Sequence, residues 1–90
     1  MSKLAIDTSL AILREVMLDN RPRAQFVPTV RGGVQMEWHT GGIDLEIEVE
    51  PSGAASVFFG DRRTGEEWED DYPACQARVK DVLSNLPRAG

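Results

Sequence analysis

Apolar and polar residues alternate along residues 34–38 and again along 43–49, and a glycine pair, Gly41-Gly42, lies between the two runs. Alternation with a period of two is the mark of a half-buried β-strand, so the stretch predicts a hairpin. Setting Trp38 opposite Ile43, Met36 opposite Leu45 and Val34 opposite Ile47 makes one face wholly apolar. The other face then carries Gln35, Glu37, Asp44, Glu46 and Glu48. A slip of one residue would turn the apolar set to the wrong side, so the facing of both strands is strongly specified.

The pattern continues beyond Pro51-Ser52-Gly53, where proline presets φ and glycine can close a hairpin. Pairing Glu50 with Ala54 brings Ala55, Val57 and Phe59 opposite Val49, Ile47 and Leu45. Phe58 then projects from the polar face, among Glu46 and Glu48. After the polar loop 61–65, with Gly65 its positive-φ position, residues 66–69 predict a further strand with Trp68 turned to the core near Val57. Upstream, residues 26–30 predict a short edge strand, a place where Pro28 is tolerated. The Gly32-Gly33 pair supplies the turn that follows it.

Helical spacing marks both ends of the chain. Leu4, Leu10, Leu13 and Met17, widened by Ala11, Val16 and Leu18, predict a helix over 3–19 that Asn20 and Pro22 bring to a stop. Asp70-Asp71-Tyr72-Pro73 reads as a helix start, with acidic residues and proline at the N-terminal end. Tyr72, Cys75, Val79, Val82, Leu83 and Leu86 follow on one face until Pro87. The expected fold is α+β: a two-layer sandwich in which an antiparallel meander of three to four strands is flanked by an N-terminal and a C-terminal helix on one face. Ninety residues with no linker or repeat make a single domain, 1–90. A core of that size covers roughly 60–65% of the unfolded surface.

Charge sharpens this picture. A formal net charge of −5 argues against direct nucleic-acid binding, which needs Lys and Arg against phosphates, and suits a protein partner with a basic surface. The one locally basic stretch holds Arg21, Arg23 and Arg31, which an anion, an acidic partner or the chain's own carboxylates can satisfy. No apolar run reaches the ~20 residues that span a bilayer, and Asp7 interrupts any signal-peptide pattern, so a cytoplasmic protein without membrane association is expected. Cys75, the lone cysteine, is expected to be a small buried hydrophobe; a catalytic thiol would need His39, the one histidine.

Candidate chemistry is sparse. Phosphate-cradling glycine loops, nucleophile elbows and metal-finger spacings are absent from the sequence, and no cofactor, catalytic residue or metal is expected. Carboxylates at close range, Glu37 with Asp44 and Glu46 with Glu48, can raise one another's pKa, but a flat sheet face offers little concavity for catalysis. The strongest functional feature is the acidic face itself: Glu37, Asp44, Glu46, Glu48 and Glu67, with Phe58 set among them.

Two segments, GGVQMEWHTGGIDLEIEVEPSG and TGEEWED, resemble a group of short, largely uncharacterised bacterial proteins that share GGVQ-x-EWH, then GIDLEIE, then GEEWE. The resemblance covers residues 27–69. It implies a small protein encoded beside a second gene, as antitoxin-like or immunity-like partners are, and it carries over no catalytic residue. The first expectation is therefore a non-enzymatic protein-protein interaction module that modulates a partner through its acidic face, as an antitoxin-like, immunity-like or anti-defence inhibitor. The alternative is a small metal-binding or hydrolytic module using Glu37, His39 and Asp44. A homodimer joined through Phe58 and the sheet face or edge strand is the third reading.

Overall fold

A computed structural model describes residues 3–16 and 24–85. Helix α1 (Lys3–Val16) leads into five strands, β1 (Gln25–Pro28), β2 (Val34–Thr40), β3 (Ile43–Val49), β4 (Ala55–Asp61) and β5 (Glu66–Tyr72), and helix α2 (Gln76–Asn85) closes the chain. The strands form one antiparallel sheet in the order β1-β2-β3-β4-β5, and the helices flank it. The edge strand and the meander are thus one continuous sheet. Both helices pack on the apolar face: Ala5 and Ile12 of α1 and Val79 and Leu83 of α2 join Val34, Met36, Trp38, Leu45, Ile47, Val49, Val57 and Phe59 in one buried cluster. Trp38 is its largest fully buried side chain.

The β3–β4 register matches the sequence reading. Leu45 pairs with Phe59, Ile47 with Val57 and Val49 with Ala55, and Gly53 turns with φ +92°. The β2–β3 register differs by two residues: Trp38 pairs with Leu45, Met36 with Ile47 and Val34 with Val49. The tighter pairing arises because Gly41 and Gly42 both take positive φ, +61° and +83°. That is the two-residue turn whose twist matches the strands it joins. A shift by two leaves every side chain on its own face, so the apolar and acidic sides are unchanged.

Three other expectations are corrected. Asp70, Asp71 and Tyr72 do not begin a helix. They extend β5, pairing with Val57, Ser56 and Ala55, and α2 starts at Gln76. Trp68 turns to the core as expected, directly opposite Phe59, with ring centroids 5.4 Å apart and nearly parallel. In α1 the inward line is Ala5, Ser9 and Ile12, whereas Leu4 and Leu10 are exposed. Small residues at 5 and 9 let the helix approach closely, and the buried Ser9 hydroxyl donates to the Ala5 carbonyl at 2.7 Å. Edge strand β1 runs over Gln25–Pro28, one residue earlier than expected and shorter. The expected helix stop, Met17, Leu18, Arg21, Arg23, Leu86 and Pro87 lie outside the described residues.

Candidate functional site: the open acidic face

The pairing places Glu37 of β2, Asp44, Glu46 and Glu48 of β3, Phe58 of β4 and Glu67 of β5 on the sheet face opposite the helices. All six residues singled out from the sequence therefore share one surface. The structure adds Glu69 and Asp71, which lie opposite Phe58 and Ser56 and extend the acidic field across β5. Sequence reasoning missed Asp71 because it assigned that residue to a helix; Glu69 lay inside the expected strand, and alternation with the inward Trp68 was the signal that places it on this face. None of the five strands contains a lysine or an arginine.

Cross-strand geometry sets the electrostatics. Glu37 is directly opposite Glu46, and His39 opposite Asp44, not Glu37 opposite Asp44 as the looser register implied. His39 bridges the carboxylates: Nδ1 lies 2.7 Å from Asp44 Oδ1 and Nε2 lies 2.9 Å from Glu37 Oε1. A carboxylate only accepts, so both ring nitrogens act as donors when both bonds are made, which is the imidazolium form. The bonds to Asp44 and then to Glu37 accordingly raise the His39 pKa above its ordinary value. Glu46 titrates above the usual carboxylate range, first because burial penalises its charge and then because Glu37 faces it. Gln35 Nε2 relieves part of this by donating to Glu46 Oε1 at 3.0 Å.

Ligand atoms of Glu37, His39 and Glu46 lie within 4.8 Å of one another. Glu46 thus takes the place that the sequence reading gave to Asp44 in a metal set, and Asp44 instead orients the ring. Around Phe58 the face dips into a shallow depression of about 260 Å³ lined by Gln35, Glu46, Glu48, Ser56, Val57, Phe58 and Glu69. The Phe58 ring lies over Gly60: a Cβ there would make ordinary van der Waals contact with the ring edge at 3.4 Å. The aromatic ring therefore lies along its own strand and forms an apolar floor between carboxylates.

Charges near the helix side are paired. Arg63 holds buried Asp61 through its backbone N–H at 2.9 Å and its Nε and Nη2 at 3.2 Å, keeping that carboxyl below its ordinary pKa. Arg78 binds Asp70 and stands 4.2 Å over the Trp68 ring. Tyr72 donates to Glu15 Oε1 at 2.6 Å, and burial with that carboxylate pushes its phenol pKa up. On the outer face Arg62 Nε lies 3.7 Å from Asp44 Oδ2, from a largely exposed side chain. Cys75 sits just before α2, buried as expected, and burial raises its thiol pKa; it lies in the core, whereas His39 is on the opposite sheet face. No described helix is long and apolar enough to cross a membrane.

Fold and site together define a small α+β protein with one sheet face closed by helices and the other open and acidic. Compared with known proteins, the chain matches no family model, no curated protein and no solved structure.

Proposed function

We propose that this protein is a non-enzymatic interaction module that binds and modulates a protein partner bearing a basic surface, in the manner of an antitoxin-like, immunity-like or anti-defence inhibitor. One observation carries the reading. Glu46 is disfavoured as an anion, partly covered and facing Glu37, on a face whose strands carry no lysine or arginine and whose His39 is held by Asp44 and Glu37. Like charges directly opposite on neighbouring strands repel, and lysine or arginine side chains of a partner would remove that repulsion on docking. Phe58 supplies an apolar contact at the centre of the field, where interfaces favour aromatic side chains.

The test is affinity capture from the native host at low and at high salt, with the wild type and with Glu46→Lys and Glu48→Lys. A specific partner retained at low salt, released at high salt and lost with both variants is the expected result. A partner bound equally by all three proteins at both salt concentrations would sink the acidic-face reading. The convergence of Glu37, His39 and Glu46 favours a second reading, a divalent-cation site. It requires His39 to exchange its Nε2 proton for the metal, so stoichiometric metal in the purified wild type, absent from His39→Ala, is its signature. A metal-free wild type that takes up none on titration would remove it.

A further inference from the structure

Among the described residues the sheet has two edge strands, β1 and β5, and they are unlike. Strand β1 is four residues long and ends in Pro28, which has no N–H to offer. Strand β5 is seven residues long, pairs only with β4 among the described residues, and contains no proline. Its backbone therefore turns the N–H and C=O groups of Glu67 and Glu69 outward, away from β4, whereas those of Asp71 are taken by the Asp70 carboxylate at 2.8 Å and the Cys75 N–H at 3.2 Å. The two rims of this edge differ in chemistry. Toward the outer face stand Glu67, Glu69 and Asp71, all exposed. Toward the helices, a groove of about 440 Å³ runs between β5 and α2, walled by Phe59, Trp68, Ala77 and Val82 together with the acidic Glu66 and Asp81. Arg78 lies along this groove, but its charge is engaged by Asp70 and by the face of Trp68.

We propose that this edge is where the partner docks, by adding an extended basic segment to the sheet as a sixth strand. The inference rests on the interaction reading above and specifies the partner's chemistry: lysine or arginine at every second position, apolar residues between. In an added strand, side chains alternate between the two faces. Basic residues would meet Glu67, Glu69 and Asp71 across the new pairing, and the apolar ones would enter the groove against Trp68 and Val82. Backbone hydrogen bonds supply affinity in such strand addition, and the alternate side chains supply selectivity. A second copy of this chain is the wrong occupant, because pairing β5 with β5 would set rows of carboxylates opposite one another.

The probe is a synthetic peptide of about nine residues, long enough to span the strand, with alternating lysine and valine. Its control has the same composition arranged as one lysine block and one valine block. The alternating peptide should bind at least about tenfold more tightly and slow amide hydrogen exchange along β5. N-methylation of its alternate backbone amides, or Glu67→Lys with Glu69→Lys in the protein, should abolish the preference. Equal, salt-sensitive binding of both peptides without β5 protection would overturn strand addition while leaving the acidic-face reading standing. Binding of neither peptide would also overturn it, and lysate capture with Glu46→Lys then judges the acidic face independently. Protection of β5 that rises with protein concentration and needs no peptide would identify a second copy as the occupant and refute the proposal.

Discussion

Replacing Glu46 by glutamine should stabilise the free protein, although the substitution removes a charged side chain from a folded sheet. The carboxylate faces Glu37 across the β2–β3 pair, and burial with that neighbour raises its pKa above the ordinary value. At 4.8 Å, the outer separation among ligand atoms of Glu37, His39 and Glu46, two unit charges repel by about 0.9 kcal/mol in bulk water and by about 3.5 kcal/mol at an effective dielectric constant of ~20. The protonated His39 ring and the Gln35 amide, 3.0 Å from Glu46 Oε1, offset part of this. Glutamine keeps an oxygen for Gln35 to donate to and adds no volume. A net gain of about 0.5–1 kcal/mol is expected, near the fractions of a kcal/mol typical of cross-strand like-charge pairs. For a domain of this size that raises Tm by about 2–8 °C.

The sign of the pH dependence provides the control. An acid whose pKa is raised on folding costs stability when ionised, and the cost disappears as pH falls through the folded and then the unfolded value. Thermal and urea unfolding should therefore show Glu46→Gln more stable than wild type near pH 7 and equal to it below the unfolded glutamate pKa. Reduced stability of the variant at pH 7, or an unchanged difference at both pH values, would refute the claim that Glu46 is strained by its own face. On the interaction reading the same substitution should weaken capture by a basic partner, so stability and binding move in opposite directions.

Two further outcomes test the local geometry. His39 has its pKa raised by Asp44 and Glu37, so its contribution is fully present below the unfolded histidine pKa and is lost as pH rises through the higher folded value; His39→Gln should cost about 0.5–1 kcal/mol near pH 5 and nothing near pH 9, after allowing for the screening of a part-exposed ring, and a cost equal at both pH values in urea unfolding would exclude the ionic bridge. Gly33→Ala should cost about 2 kcal/mol or more, because a Cβ there would fall 2.3 Å from the Val49 carbonyl oxygen. Gly65→Ala, with φ +79° but nothing within 4 Å of the added atom, should lose only the ~1–2 kcal/mol of left-handed backbone strain, and equal losses for the two variants would contradict the close approach at Gly33.

The parts of the fold that were legible in the sequence are those where turn chemistry and strand pattern constrain the same residues. Pro51 and Gly53 fix a turn, and the apolar positions on either side then have one pairing that keeps them together. Between β2 and β3 the alternation alone is blind to any even shift, so the looser hairpin satisfied the pattern as well as the true one. The deciding signal was present: a glycine pair between alternating runs favours the two-residue turn in which both residues take positive φ. The second half of strand β5, residues 70–72, was hidden by composition. Its acidic run followed by proline imitates a helix start, and what holds it as a strand is tertiary: Trp68 on Phe59, Asp70 on Arg78, Tyr72 on Glu15. In α1 the search for large apolar residues selected Leu4 and Leu10, while close packing selected Ala5 and Ser9. The acidic face survived these errors because face membership depends only on odd or even position within a strand.

That independence also bears on why the face is acidic at all. The register and the core are set by the helix-side residues, so the outer positions are free of folding requirements and neutral polar residues such as threonine would serve a sheet better. Instead the outer positions of β2, β3 and β5 carry carboxylates, and Glu37 directly faces Glu46. Arg63 is engaged by Asp61 and Arg78 by Asp70 and Trp68, while the largely exposed Arg62 reaches the face at Asp44, 3.7 Å away. Solubility does not demand this arrangement, since a formal charge of −5 would keep the protein soluble wherever the carboxylates stood. Concentrating them on one open face, and along the longer of the two edge strands, costs stability at Glu46 and contributes nothing to the core. On the proposed interaction reading, that cost is retained for recognition, and a partner's row of lysines or arginines would relieve it.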